Sequence, residues 1–313
     1  MSDLAQQLLI EGTTPDEVVF PRQAATSVLV SSEPDPAVRN ANIILGQPDV
    51  TSIMQADRLR WIQLTSAGYT RYDTREFRRL AESRALIVTN SSAVYAEACA
   101  EHLFAFMLAQ ARNLPQALAS RYANSSSKWK ALRESSALLQ NQAAVILGFG
   151  TIAARLVEML APFAMKVTAM RRSPMGDEKI LVVTADRLLP VLADADHVIS
   201  VLPENAESLH FISAERLAAM KKEAIFYNIG RGTTVDQQAL FESLSNGHLA
   251  AAWLDVTDPE PLPDSHPLWT VPNCHITPHT AGGHPRESET LVRHFLENFK
   301  RFANDLPLQD RVI

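Results

Sequence analysis

The sequence predicts an α/β protein of two domains organised around parallel sheets. Three observations carry that expectation. From Gln142 onward, short apolar runs alternate with helical stretches in a regular rhythm, the pattern of a parallel sheet covered on both faces. The N-terminal third carries a looser version of it, in which "ANIILG", "LRWIQLTSAG" and "ALIVTNSS" each read as a buried strand ending in a turn. At 313 residues the chain is also long enough for two cores.

Composition narrows the function classes. With 46% hydrophobic and 20% charged residues the chain reads as an ordinary soluble globular protein. A formal net charge of −6 gives no basic footprint, so nucleic acid is not an expected partner. The start, "MSDLAQQLLIEGTTPDEVVF", carries acids and lacks a basic stretch ahead of an apolar one, so no signal peptide is expected. No apolar run is long enough to span a bilayer, since "ACAEHLFAFMLAQAR" is interrupted by Glu101 and His102 and reads as a buried helix. Cys99 and Cys274 are too few for a disulfide framework. No His, Cys and carboxylate cluster has zinc-ligand spacing, so no metal is expected. A cytoplasmic protein without membrane contact follows. No internal repeat is evident, and the only low-complexity tract is "NSSSK" at Asn124 to Lys128.

After the first three strands a long helix is expected from about Tyr95 to Arg112, then a polar, Trp-bearing segment to about Asn141. Beyond it, strands are expected in "AAVILGFG", "KVTAM", "HVISVLP", "AIFYNIG", "AAWLDV" and "HITPH". Helices are expected in "TIAARLVEMLAPF", "TADRLLPVLADA", "SAERLAAMKK" with Ser213 as N-cap, and "DQQALFESLSNG" closed by Gly247. A last helix, about Arg286 to Asp305, follows the "AGG" turn and returns to the first domain. The domains are therefore expected at 1–95 plus 285–313 and at 96–284.

The stretch "VILGFGTIAARL" sets Gly148 and Gly150, with Ala153 in the third slot, between a strand and a helix. In that context a G-x-G-x-x-A run is a dinucleotide-binding turn. Gly148 permits the tight turn, Gly150 lets the backbone approach a pyrophosphate, and Ala153 lets the helix pack on the strand. Where an NAD site places an acid at the end of the next strand, this chain has Met170, Arg171, Arg172 and Ser173. Guanidinium forks match phosphate oxygens bidentately, so the segment reads as a clamp for a 2′-phosphate; the alternative is solvated surface arginines.

Three further residues stand near strand ends: Arg231 after "AIFYNIG", Glu260 in "DVTDPEPLP" and His279 in "TPHTAGG". Ligands of open parallel sheets bind beyond the carboxyl ends of the strands, so all three are expected at one crevice. Singly each has an ordinary structural reading, and His210, His275 and His284 are left with it.

Taken together, "NIGRGTTVD", "LDVTDPEPLP" and "TPHTAGG" resemble the signature segments of the D-isomer-specific 2-hydroxyacid dehydrogenase family. The resemblance runs from about "IQLTSAGYT" through "TNSSAVYAEACAEH" to the last helix and is weakest over the first forty residues. It implies two Rossmann-like domains, a doubly wound cofactor domain and a discontinuous flavodoxin-like substrate domain, with hydride transfer between them. By resemblance Arg231 binds the 2-oxo-acid carboxylate, His279 exchanges a proton with the carbonyl oxygen, and Glu260 pairs with His279. Backbone N–H groups of Ser66, Ala67 and Gly68 complete the substrate site, and Asp255 matches the residue that holds the nicotinamide carboxamide. Ser208, with Leu202 and Pro203, matches a cofactor-contacting loop, although Glu204, Asn205 and Ala206 depart from its commonest form. Phe149, Thr151, Ile152, Ile229, Gly230 and Gly282 complete the implied cofactor contacts.

The implied activity is reduction of a small 2-oxo acid, of glyoxylate or hydroxypyruvate type, with NADPH preferred and NAD possible. A broad 2-oxo-acid reductase, a phosphoglycerate-dehydrogenase-like enzyme and a non-catalytic dinucleotide sensor are the alternatives. Selectivity would rest on loop positions such as Tyr69, Val94 and Tyr95. The resemblance also implies a homodimer, with the helix near Ala96 to Arg112 and the arm after it at the interface. Trp129 would either reach the partner's cleft or simply pack there.

Overall fold

A computed structural model of the chain describes residues 38–39, 41–120 and 126–313. The N-terminal stretch read for a leader and the first two residues of the "NSSSK" tract lie outside the described residues. The described residues form two compact units, one running up to Tyr95 and resuming from Gly283 to Ile313, the other Ala96–Gly282.

In the first unit three short strands, β1 (Ile43–Leu45), β2 (Trp61–Gln63) and β3 (Ile87–Thr89), pair in parallel in sequence order. Helix α1 (Val50–Met54) connects β1 to β2, and α2 (Arg75–Arg84) connects β2 to β3. Asp49 and Thr74 cap these helices by accepting the backbone N–H groups of Ser52 and Phe77. β3 leads into α3 (Ser92–Ala111), within which the boundary between the units falls. Downstream come α4 (Leu114–Ala119) and α5 (Ser127–Glu134), both in the stretch that the sequence reading left as a polar segment. Pro115 in the first turn of α4 and Ser126 as the N-cap of α5 are the local reasons they form.

The second unit is built on one seven-stranded sheet. Its strands are β4 (Ala143–Leu147), β5 (Lys166–Met170), β6 (Leu181–Val183), β7 (His197–Ser200), β8 (Ile225–Asn228), β9 (Ala251–Leu254) and β10 (Cys274–Ile276). They lie in the order β10-β9-β8-β7-β4-β5-β6, with every pair parallel. The crossover helices are α6 (Thr151–Leu160), α7 (Leu188–Ala193), α8 (Ala214–Ala219) and α9 (Gln237–Ser245). Ser213 caps α8, and Gly247 closes the turn after α9 at φ +71°. β6 was not foreseen: three residues at the sheet edge are too few to show a period. The run read as one helix over "TADRLLPVLADA" begins as a 3₁₀ turn at Ala185–Arg187.

The last helix, α10 (Glu287–Ala303), belongs to the first unit. It buries Leu291, Val292, Phe295 and Asn298, one stripe at helical spacing. Trp61 stacks on Phe295 at 5.2 Å and on Phe302 at 5.4 Å. Asn298 Nδ2 donates to Gln63 Oε1 at 2.9 Å, so the buried amide of β2 is satisfied from the helix. Among the described residues no helix is long and apolar enough to cross a membrane.

Within the seven-stranded sheet, His197 on β7 is buried between two partners, Tyr227 Oη at 3.0 Å and Gln142 Oε1 at 2.6 Å. Burial lowers its pKa to about 4, with Asp196 opposing the shift. A base held neutral in the fold but free to protonate when unfolded withdraws stability as pH falls. The loss should begin near pH 6.5 and continue until about pH 4, at roughly 2–3 kcal/mol by pH 4.5. His197→Gln should be less stable at pH 7 by about 1–3 kcal/mol yet lose less of its stability over that interval. Urea unfolding of both proteins at pH 7 and 4.5 checks this, and parallel losses would exclude His197 as the titrating group.

Candidate active site

Parallel pairing aligns the strand ends of the second unit. Met170, Leu147, Ser200, Asn228, Leu254 and Ile276 are successive register partners across β5, β4, β7, β8, β9 and β10. The sequence-predicted loops of this unit leave the sheet along this edge. Between β4 and β7 the strand order reverses direction, the switch point where open α/β sheets take ligands.

The glycine turn follows β4. Gly148 has φ +94°, a conformation an L side chain rarely adopts, and its N–H donates to Met170 O at 2.9 Å. Gly150 is the N-cap of α6 with no side chain capping it, and a Cβ added there would meet nothing within 4 Å. No side chain therefore caps the first N–H groups of this ten-residue helix. Ala153 is fully buried. This geometry fits the pyrophosphate of a dinucleotide.

One strand over, Arg171, Arg172 and Ser173 follow β5. Arg171 is anchored by its N–H to Val183 O at 3.1 Å. Each guanidinium meets an acid: Arg171 Nη1 lies 3.3 Å from Glu178 Oε1, and Arg172 Nη2 lies 2.6 Å from Glu207 Oε2. The sequence reading did not anticipate either partner. After β7, the Leu202–Ser208 loop is held by Ser208, whose Oγ donates to Pro203 O at 2.6 Å and accepts from Asn205 N at 2.9 Å. Ser208 is buried and its hydroxyl serves the loop itself.

The three candidate catalytic residues follow β8, β9 and β10. Arg231 is positioned by buried Asn228, whose Nδ2 donates to Arg231 O at 3.0 Å and whose Oδ1 accepts from Gly230 N at 3.0 Å. Its Nη1 donates to Gly230 O at 2.6 Å, and among the described residues no carboxylate forms an ion pair with it. His279 Nδ1 and Glu260 Oε1 are 2.5 Å apart, with side chains 48% and 41% exposed, so the pair is joined and reachable from solvent. The opposite ring nitrogen, Nε2, takes no part in this bond.

Asp255, at the end of β9 and 1% exposed, organises this corner. Its Oδ1 accepts from Thr277 Oγ1 at 2.5 Å and Thr280 N at 2.9 Å, and its Oδ2 accepts from Ala281 N at 2.9 Å. His279 sits between these donors at φ +52°. For a non-glycine residue that conformation costs about 1–2 kcal/mol, while hydrogen bonds to a charged group contribute roughly 1.5–3 kcal/mol each. His102 Nε2 stands 3.7 Å from Asp255 Oδ1 and 3.4 Å from Thr277 Oγ1. Burial lowers the His102 pKa, and Asp255 opposes that shift. The sequence reading saw His102 only as a break in an apolar run. The Cys99 thiol, pushed up to about 12 chiefly by burial, is raised further by Asp255 and lowered by Arg231.

Phe149, Thr151, Ile152, Ile229 and Gly282 also belong to the second unit, whereas the predicted substrate turn Ser66–Gly68 lies in the first, where Ser66 Oγ donates to Gly68 O at 2.6 Å and Asn90 Nδ2 donates to Ala67 O at 2.7 Å. These bonds fix the turn after β2.

Residues 104–281 match the model of the D-isomer specific 2-hydroxyacid dehydrogenase NAD binding domain. The chain is 30% identical over 299 residues to a glyoxylate reductase of Korarchaeum cryptofilum, covering 93% of this chain and 84% of that protein. It is 34% identical over 253 residues to glyoxylate/hydroxypyruvate reductase B of Pectobacterium atrosepticum, covering 78% and 77%. Among solved structures it resembles a D-isomer specific 2-hydroxyacid dehydrogenase from Xanthobacter autotrophicus Py2, in complex with NADPH and MES. That likeness has a TM-score of 0.71 at 26% identity, over 88% of this chain and 85% of the other. On the matched family model and on these relatives, the chain belongs to the D-isomer specific 2-hydroxyacid dehydrogenase family of oxidoreductases.

Proposed function

We propose that the protein reduces a small 2-oxo acid, of glyoxylate or hydroxypyruvate type, to the D-2-hydroxy acid with NADPH as preferred cofactor. The observation that carries this reading is the combination at the sheet edge of an arginine with no carboxylate partner among the described residues and a histidine bonded to Glu260. Arg231 offers a planar fork to the substrate carboxylate. His279 Nε2 delivers a proton to the carbonyl oxygen in reduction and takes it back in oxidation. Glu260 fixes the imidazole through Nδ1 so that Nε2 points outward. A bound nicotinamide supplies the hydride. Gly148, Gly150 and the start of α6 hold its pyrophosphate, Arg171 and Arg172 receive the adenosine 2′-phosphate, and Asp255 lies at the carboxamide end. Backbone N–H groups of Ser66–Gly68 are assigned to the substrate carboxylate on the family resemblance. A cytoplasmic homodimer completes the reading, supported by exposed Leu114, Leu118 and Leu138 in and after the α3–α4 stretch.

A panel of 2-oxo acids tested with NADPH and NADH decides the matter. Glyoxylate or hydroxypyruvate should be among the best substrates, simple aldehydes without a carboxylate should be poor, and NADPH should exceed NADH about tenfold or more in kcat/KM. Cofactor binding without turnover on any acid would instead favour a dinucleotide sensor.

His279→Ala should lower kcat by about 10²–10⁴-fold while cofactor affinity stays within about twofold. Near-normal turnover on the best substrate would remove His279 from its role.

Glu260→Ala should lower kcat by about 10–10²-fold, and Glu260→Gln by less, because an amide carbonyl still accepts the Nδ1–H. KM for the oxo acid should change little in either, since Arg231 holds the carboxylate. Steady-state kinetics on the two variants checks the order, and equal losses would show that charge, not orientation, is what Glu260 supplies.

A further inference from the structure

The arginines after β5 and the acids that meet them form two unlike pairs. Glu178 has a side chain only 6% exposed, and its carboxylate accepts from Met175 N at 2.8 Å and Gly176 N at 2.7 Å besides meeting Arg171. These donors, the Met175 N–H foremost, hold it below the usual carboxylate range. It is the anchor of its loop and stays where it is. Arg171 therefore faces any ligand with its charge largely balanced. The Arg172–Glu207 pair is different, for its side chains are 72% and 71% exposed and meet across two loops, one after β5 and one after β7.

We propose that Glu207 is a specificity-determining residue for the cofactor, occupying the Arg172 fork in the free enzyme and competing there with an adenosine 2′-phosphate. This rests on the reading above that the segment after β5 receives the adenosine ribose. An exposed ion pair is weak, so a phosphate carrying nearly two charges displaces it. The displaced carboxylate cannot go far. Glu207 N donates to Asn205 Oδ1 at 3.0 Å, and the loop around it is closed by Ser208 N on that same oxygen at 3.0 Å and by Asn205 N on Ser208 Oγ at 2.9 Å. The carboxylate remains within the range where like charges repel. A cofactor without the 2′-phosphate does not contest the fork and feels little of this. Glu207 thus limits discrimination that Arg172 would otherwise exert in full.

Calorimetric binding of adenosine 2′,5′-bisphosphate and of 5′-AMP to the intact enzyme at low salt tests this without turnover. Glu207→Gln should bind the bisphosphate about three- to tenfold tighter, with 5′-AMP unchanged, and the gain should fade in high salt. Arg172→Ala should weaken the bisphosphate about tenfold, Arg171→Ala less. In the Glu207→Gln, Arg172→Ala double variant the gain from Glu207→Gln should vanish. An unchanged bisphosphate affinity in Glu207→Gln, alongside a loss in Arg172→Ala, overturns the role of Glu207 and leaves the clamp standing. A gain that persists without Arg172 overturns it too, because Glu207 would then act through the general field. If neither arginine variant weakens the bisphosphate, the clamp itself falls, and this inference with it.

Discussion

Parallel pairing in register is the constraint from which the functional edge of the second unit follows. Because β5, β4, β7, β8, β9 and β10 all run the same way and end as register partners, their outgoing loops share one line. Residues as distant in sequence as Gly148, Arg171, Arg231 and His279 are then brought to one rim. The helices cover the faces of the sheet and leave this rim free. An antiparallel strand in the middle would have sent one of these loops to the opposite edge.

Within that frame, short-range polar bonds do the fine positioning. Asn228 shows the device in neutral form: one buried amide ties the backbone of Gly230 and Arg231 at the end of β8. Asp255 does the same at the end of β9 with a charge. A buried carboxylate lacking donors would be costly, and here the donors are drawn from the very loop that carries His279. The demand of Asp255 for partners and the left-handed backbone of His279 are thus two sides of one arrangement. The same acid was assigned from resemblance to the cofactor's carboxamide. Its lone pairs are already engaged by three close donors in the structure, so its positioning of the loop is the part that needs no ligand.

Much of this was legible in the chain. Strands such as β4 and β7 announce themselves as apolar runs, and the context of Gly148 and Gly150 marks the turn. The Arg231, Glu260 and His279 segments stand out because three signatures occur in order. What escaped reading did so for physical reasons. β6 is three residues at a sheet edge and takes its conformation from β5, not from a pattern of its own. Helices α4 and α5 bury no residue fully, so they show no core-facing stripe to find. His102 sits in a helix 153 residues before Asp255 in number, and nothing local in "ACAEHLFAF" names its partner. Glu178 and Glu207 lie 7 and 35 positions beyond Arg171 and Arg172. A sequence shows that cations gather at a strand end but not which acids fold against them.

That last omission bears on how cofactor preference is to be read from sequence at all. A basic pair at the end of the second strand of a dinucleotide fold is commonly weighed by its own charge. What a ligand meets is the charge left over after neighbours have taken their share, and that share depends on burial. A carboxylate fixed by backbone donors, as Glu178 is, stays beside its arginine, whereas an ion pair standing in water, as that of Arg172 and Glu207 does, is weak. Two arginines of the same type, adjacent in sequence, can therefore differ greatly in what they offer. The difference comes from loops that only the folded sheet brings together.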